Sequence, residues 1–329
     1  MTVPRLEEVL RETGVPDLVE ILAERLSPPE LETVLREAHH QRAGRVLPAA
    51  LLAAYERDAR FLPAPAEAAL SAIDRIALEA AAPWFEPLDL SPICPIGTVA
   101  GLSPIDPGAA LWVAGIGELV SDSTAVLALE GARRRRVADE ATVRLCASHR
   151  EAYVPFSAPL RSDPHTRVFA LCMAGADADG FHFEAAGLSE QVGVHLRLLE
   201  HLRRDGYDVG SVTVTFTCHP ASRVRDACRA DVAAALAQTF PDVRFHVDEA
   251  PARSFAPVGF TIIAEDSAEV EHLVALGGCT DWTRQLLGRD EERLVVSRMA
   301  TERVAEVFAP PPLGGPAQAR ARVERLGNE

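Results

Sequence analysis

No lysine occurs anywhere in the 329 residues, so every one of the 33 basic side chains other than histidine is an arginine. That single absence excludes several chemistries. A Walker A phosphate loop, a protein kinase and a pyridoxal phosphate Schiff base each need a lysine. Phosphate chemistry in this chain would have to rest on arginine, metal and backbone. The six cysteines are scattered without a CxxC pair, a usage that fits unpaired thiols in a reducing cytoplasm and argues against a structural zinc site. No apolar run approaches the roughly 18–20 residues of a membrane span. The first residues, MTVPRLEEVLRETG, lack a basic region followed by an apolar one, so no secretory signal is expected.

What is present bounds the fold. With 48% hydrophobic residues the chain can bury a substantial core, and its formal charge of −15 disfavours a broad DNA- or RNA-binding face. Arg133–Arg136 is a local basic run whose plainest reading is the solvated end of a helix. Residues 1–65 read as a helical module broken by prolines. In it, Gly14 ends one helix, Ser27 caps another, and His39-His40 is a surface pair, since adjacent residues diverge by about 100° on a helix. Residues 66–310 read as one α+β core, and 311–329 as a tail after the Pro/Gly-rich PPPLGGPAQ. The core opens with a long amphipathic helix, Ala66 to Ala82, then Trp84-Phe85 and an extended LDLSPICPIGTV. Strand-rich runs with few helices between them point to a mostly antiparallel sheet. GIGELV makes a poor dinucleotide fingerprint because its third glycine is missing.

The chemistry-bearing segments come in a fixed order. SDSTAVLALEGARRR offers Asp122 and Thr124 at the start of a helix, where an acid suits the positive helix end. CASHREAYVPFSAPLRSDPHTRVFALCMAGAD carries Arg150 and Glu151 on one strand and Arg167 and Phe169 on the returning one. Arg253 and Gly259 precede the glycine pair Gly277-Gly278, with Asp281 three residues on. Finally RLVVSRMATERVAEVF is a strand followed by a helix opened by Thr301-Glu302-Arg303. A cation such as Arg303 at a helix N-terminus is unfavourable unless an anion lies close.

Taken in order, these segments resemble the catalytic core of a class II aminoacyl-tRNA synthetase, nearest to the histidyl type, over about residues 66 to 310. The resemblance implies a mostly antiparallel sheet flanked by helices, a homodimer built on the long helix and Pro92, and adenylate formation from ATP, with Mg²⁺ as a candidate second cofactor. It assigns Arg150 and Arg253 to catalysis and Arg150, Glu151, Arg167, Phe169 and Arg303 to the nucleotide. Asp122, Thr124, Gly277, Gly278 and Asp281 fall to a small-molecule amino or carboxylic acid. Each match also has a plain reading: helix cap for Asp122 and Asp281, ordinary hairpin for the Arg150 strand. No protein metal ligand is assigned.

Three departures qualify it. The family's Arg-x-Glu would put glutamate at Ala152, whereas Glu151 stands one residue early. The tyrosine pair of the histidyl branch is absent. Ser297, Arg298, Met299 and Ala300 replace the glycines on which adenine lies, so Arg298 or Met299 is expected to fill that floor. Only a short tail stands where the family continues into an anticodon-binding domain, so tRNA is not the expected acceptor. Two functions remain open: adenylation of an acid for a protein or other carrier, and a non-catalytic paralogue similar to the histidyl-synthetase-like regulatory subunit of ATP phosphoribosyltransferase.

Overall fold

Long stretches of β-branched and apolar residues at strand spacing dominate the second half of the chain, and they assemble into one eight-stranded sheet. A computed structural model describes residues 5–57, 67–103, 110–113, 117–137, 142–153, 165–177, 180–220, 224–250 and 255–309. Its helices are α1 (Leu6–Thr13), α2 (Leu18–Glu20, running on as a π-helical turn Ile21–Arg25), α3 (Pro28–Ala43), α4 (Pro48–Arg57), α5 (Glu67–Ala81) and α6 (Thr98–Leu102). After them come α7 (Ser123–Val137), α8 (His182–Arg204), α9 (Arg225–Ala227), α10 (Ala234–Thr239), α11 (Trp282–Leu287) and α12 (Thr301–Phe308). A π-helical segment, Cys228–Ala233, joins α9 to α10. The strands are β1 (Glu86–Pro87), β2 (Ile93–Cys94), β3 (Trp112–Val113), β4 (Gly117–Leu119), β5 (Val143–Ala152) and β6 (His165–Ala176). They continue with β7 (Val212–Cys218), β8 (Val243–Glu249), β9 (Val258–Glu265), β10 (Glu271–Thr280) and β11 (Glu292–Met299).

The described elements fall into two compact units. The first comprises residues 1–63, 91–121 and 152–164; the second comprises 64–90, 122–151 and 165–329. In the first, α1 ends at Gly14, whose φ of 68° lies where glycine is at ease. Ser27 and Glu30 close a capping box at α3, with Ser27 N–H donating to Glu30 Oε2 at 2.8 Å. The expected extended run LDLSPICPIGTV becomes only the two residues of β2 before α6 begins. Pro92 and Pro95 remove the N–H groups a longer strand would need. A buried carboxylate organises this turn instead: Glu118 of β4 accepts the Val99 N–H at 2.7 Å and the Gly97 N–H at 3.3 Å. Pro92, the proline assigned to the dimer interface, lies in this first unit.

The second unit holds the large sheet, in the order β1-β5-β6-β11-β10-β9-β7-β8. The pairings from β6 through β7 are antiparallel, and β1–β5 and β7–β8 are parallel. Side chains alternate between faces along each strand, which gives the sheet two sides with different companions. On one side, α5, α8 and α12 pack together. Val295 and Met173 point to that side, close enough that a Cβ on Gly187 of α8 would meet Val295 Cβ at 3.0 Å. Fully buried Leu188, Val192, Leu196 and Leu199 of α8 supply much of that core, each contributing roughly 1.5–3 kcal/mol of burial. His195 of α8 is buried there too, its pKa pushed down to about 3 by loss of water, and it bonds Ser297 Oγ at 2.9 Å. On the other side lies α7, close enough that a Cβ on Gly131 would meet Ala174 Cβ at 3.3 Å.

One reading from sequence changes here. Arg133–Arg136 is not uniformly a solvated helix end. Arg133 is exposed and pairs with Glu130, but Arg135 turns onto the sheet, 2% exposed, and makes a bidentate pair with Glu292 of β11 at 2.8 and 3.1 Å. Helical spacing puts Arg135 on the α7 face that packs against β6 and β11, and only a guanidinium there can match the buried Glu292. Breaking one partner of such a pair strands a buried charge. Arg135→Met is expected to cost about 3–5 kcal/mol in urea unfolding. The double variant Arg135→Met/Glu292→Leu should recover most of that loss.

Candidate functional site

The residues picked out as a nucleotide set are divided by strand alternation. Arg150 and Glu151 are neighbours on β5 and so point to opposite faces. Glu151 turns to the α7 side, where its Oε1 accepts the Ser123 N–H at 2.8 Å and its Oε2 receives Arg298 of β11 at 3.2 Å. Arg150 turns to the side of α5 and α12, where it meets Glu302 at 3.0 Å and His165 Nδ1 at 2.9 Å. Arg167 of β6 shares that side, clamped by Asp74 of α5 at 2.7 Å, while its N–H donates to Glu302 at 2.8 Å. Phe169 is fully buried, edge-on to His195 at 6.4 Å, and offers no surface to a ligand. The expected grouping of Arg150, Arg167 and Phe169 with Glu151 therefore does not form.

On β5 the residue two positions earlier that shares the α7 face with Glu151 is His149, not Arg150. Burial holds the His149 pKa below the usual histidine value, with Arg167 adding to the effect.

Around Glu151 the site is closed. Its carboxyl is 1% exposed and its pKa is pushed up to about 7, chiefly by burial and further by Asp122, with Arg298 and the Ser123 N–H opposing. Asp122 and Thr124 are also buried. Asp122 Oδ1 accepts the Thr124 N–H at 3.0 Å and its hydroxyl at 2.5 Å, so the pair caps α7 as the plain reading expects. Of the residues replacing the adenine floor, Ser297 and Met299 belong to the opposite face, bonded to His195 and buried in the core respectively. Arg298 turns to the α7 face, where it meets Glu151.

The glycine pair has a packing role. A Cβ on Gly277 would meet Ser297 Cα at 2.7 Å across β11. Gly278, at φ 154°, stands beside Gly259, and a Cβ there would meet Gly259 Cα and Phe255 Cβ, each at 2.7 Å. Phe255 thus lies against Gly278 and Gly259. Asp281 precedes α11 and binds Arg284 at 2.9 Å and Gln285 at 2.7 Å. Arg303 is exposed on α12 and meets only Glu306 among the described residues, at 3.6 Å, so an anion from its own helix answers the charge at that terminus. Arg253 lies outside the described residues. Sequence reasoning missed the Glu151–Arg298 pair because nothing in one dimension says that two strands 147 residues apart share a face.

With the geometry in place, comparison with known proteins is informative. No protein-family model and no curated protein matches the sequence. Solved structures do match the fold. The apo histidyl-tRNA synthetase of S. aureus superposes with a TM-score of 0.55 at 12% identity, over 80% of this chain and 77% of that one. This is a class II synthetase-like fold. An ATP phosphoribosyltransferase regulatory subunit/histidyl-tRNA synthetase from Bacillus halodurans C gives 0.53 at 12% identity, over 76% of this chain and 81% of its own. The RNA binding domain of threonyl-tRNA synthetase from Cryptosporidium parvum Iowa II gives 0.56 at 12%, over 74% of this chain. The present chain spans 64% of that structure's length. The synthetase-like fold arranges β5, β6 and β11 side by side, and in this chain their α7 face carries Arg298 and Glu151.

Two outcomes follow. Gly278→Ala is expected to lower unfolding free energy by about 2–4 kcal/mol, through backbone strain and overpacking against Phe255 and Gly259, read from the urea midpoint. Glu151 has a folded pKa above its unfolded value of 4.5. The folded state therefore holds the proton longer, and stability falls as pH rises between about 4.5 and 7. Glu151→Gln should flatten that part of the stability–pH curve, and an unchanged slope in the variant would contradict the assignment.

Proposed function

We propose that this chain is a non-catalytic class II synthetase paralogue, an effector-binding or regulatory protein rather than an adenylating enzyme. One observation carries the reading: the sheet face on which a nucleotide would lie is occupied by the chain's own Arg298, paired with buried Glu151. An arginine on that floor would have to break a desolvated ion pair before a base could lie flat, and stranding the partner of such a pair costs several kcal/mol. Three further features agree. His149, not Arg150, shares the α7 face with Glu151, and Arg150 and Arg167 are held on the opposite side by Glu302 and Asp74. Phe255 lies against Gly278, the second glycine of the pair. Stabilising an adenylation transition state requires positive charge aimed at the phosphates, and these arginines are aimed elsewhere.

A structural neighbour described as a regulatory subunit of ATP phosphoribosyltransferase makes regulation of a partner enzyme the natural role for such a paralogue. On this reading residues 66–310 are the synthetase-like core, the small molecule is an effector rather than a substrate, and the homodimer expected from the resemblance is retained. ATP, Mg²⁺ and transfer to a carrier belong to the competing adenylation reading, which has in its favour the order of the motifs and the synthetases among the structural neighbours.

The test is ATP–pyrophosphate exchange with the full chain across the twenty amino acids, paired with thermal unfolding in saturating ATP. Background exchange and an unmoved melting temperature are expected. Exchange with any acid, lost in Arg298→Ala and Arg303→Ala, would overturn the proposal in favour of adenylation.

A further inference from the structure

Two of the six cysteines meet inside the second unit. Cys218 is the last residue of β7, and Cys228 opens the π-helical segment Cys228–Ala233, which packs on β7 and α8. Strand register fixes the side on which they meet. Cys218 lies opposite Val258 of β9, and Phe216 lies opposite Phe260, whose ring stands 6.4 Å from that of His195 on α8. Residues 216, 218, 258 and 260 therefore all point into the α8 layer, where the π-helical segment also lies. Both thiols are fully buried, and a side-chain hydrogen bond joins them.

The two thiols are not equivalent. The Cys228 hydrogen bond holds Cys218 below the usual thiol value, helped by Arg225 and Arg229 and opposed by burial and Glu249. That same bond pushes Cys228 up, and burial adds to it. The Cys228 S–H thus donates to a Cys218 sulfur that carries negative charge the more readily, and the thiolate is the reactive form of cysteine. The remaining four cysteines have no such support. Burial raises Cys94 and Cys279 and takes Cys146 and Cys172 up to about 12. Water also comes close to Cys218. Its register partner on β8 is Glu249, which is exposed and pairs with exposed Arg225 of α9 at 2.8 Å. Exposed ion pairs of this kind hold only weakly.

We propose that Cys218 and Cys228 form an oxidation site for hydrogen peroxide, closing to a disulfide that ties β7 to the π-helical segment. Two steps balance the chemistry. The Cys218 thiolate attacks one peroxide oxygen, the O–O bond breaks, and sulfenic acid forms as hydroxide leaves with the electron pair. Cys228 then gives up its proton, its sulfur attacks the sulfenic sulfur, and the S–O bond breaks. The departing hydroxide takes that proton and leaves as water. The two sulfurs together lose two electrons, and the peroxide is reduced to water. An external dithiol reverses the change by thiol–disulfide exchange. Cys218 ends its strand and Cys228 begins its segment, so both stand at element ends, where the backbone adjusts most easily. Hydrogen peroxide is close to water in size, and parting the Arg225–Glu249 pair opens its way to Cys218. A metal ion fits less well, because no three His, Cys, Asp or Glu side chains among the described residues are placed to hold one. The site is independent of the non-catalytic reading of the α7 face, because it shares no residue with it.

Hydrogen peroxide titration of the folded, reduced full chain tests the site, with N-ethylmaleimide as quench and intact mass and non-reducing peptide mapping as readouts. The expected product is two hydrogens lighter, carries a Cys218–Cys228 cross-link, and returns to its starting mass in dithiothreitol. In Cys228→Ala the cross-link is lost, and dimedone is expected to trap the sulfenic acid at Cys218. Glu249→Gln gives a second reading from an exposed position, should the core variant lose stability. It removes a negative neighbour and the ion pair together, so cross-linking should be several-fold faster. No cross-link in the unsubstituted chain, a cross-link or dimedone adduct mapped to other cysteines, or no acceleration in Glu249→Gln would overturn the proposal. Pyrophosphate exchange is silent on these outcomes, so the two proposals stand or fall separately.

Discussion

Strand alternation in the eight-stranded sheet is the constraint on which the rest of this protein depends. Every side chain on β5, β6, β10 and β11 must face either the α5/α8/α12 layer or the α7 side, with no third choice. Glu302 shows how firmly this is fixed. Placed in the first turn of α12, where an acid suits the helix end, it receives both Arg150 and the Arg167 N–H and so fastens two strands to one helix. Once Arg150 is committed there, Glu151 has to face α7, and the character of that face is settled by residues 149, 151 and 298.

The consequence is a face built for internal pairing. Glu151, Arg298, Asp122 and Thr124 satisfy one another or the α7 N-terminus, and Arg135 with Glu292 does the same farther along α7. Such buried polar groups are costly unless fully matched, and here most of the matching is done from within the chain. Exceptions among the described residues include Glu184 Oε2 and Thr280 Oγ1, each buried without a hydrogen-bond partner. A fold shared with synthetases thus need not share their reaction, since the same architecture hosts different sites.

Much of the architecture was legible in one dimension. The α+β class, the mostly antiparallel sheet, the helix caps at Gly14 and Ser27, the long helix now seen as α5 and the helix opened by Thr301 all followed from periodicity and capping chemistry. The site was less legible. A one-residue offset in the Arg150–Glu151 alignment reads as a small mismatch in a sequence, but on a strand it reverses which side chain meets the ligand. The four-arginine run gave no hint that Arg135 is a core residue, because its partner Glu292 is 157 residues away. Gly277 and Gly278 were recognisable as positions needing a bare backbone, yet whether a ligand or a neighbouring strand required it was not.

The sequence by itself determined the chemistry available: no lysine, arginines as the only strong cations, scattered cysteines without a CxxC pair, and enough apolar residues at the right periods for a large sheet. Those are properties of residue type and local spacing, and they survive any change of partner. Which arginines face which side, which carboxylate is buried, and where unmatched polar atoms remain were decided only by the tertiary structure. The physical reason is that ion pairing and desolvation depend on distances between strands and helices far apart in the chain. That long-range packing is why a synthetase-like fold does not by itself fix what its sheet faces can bind.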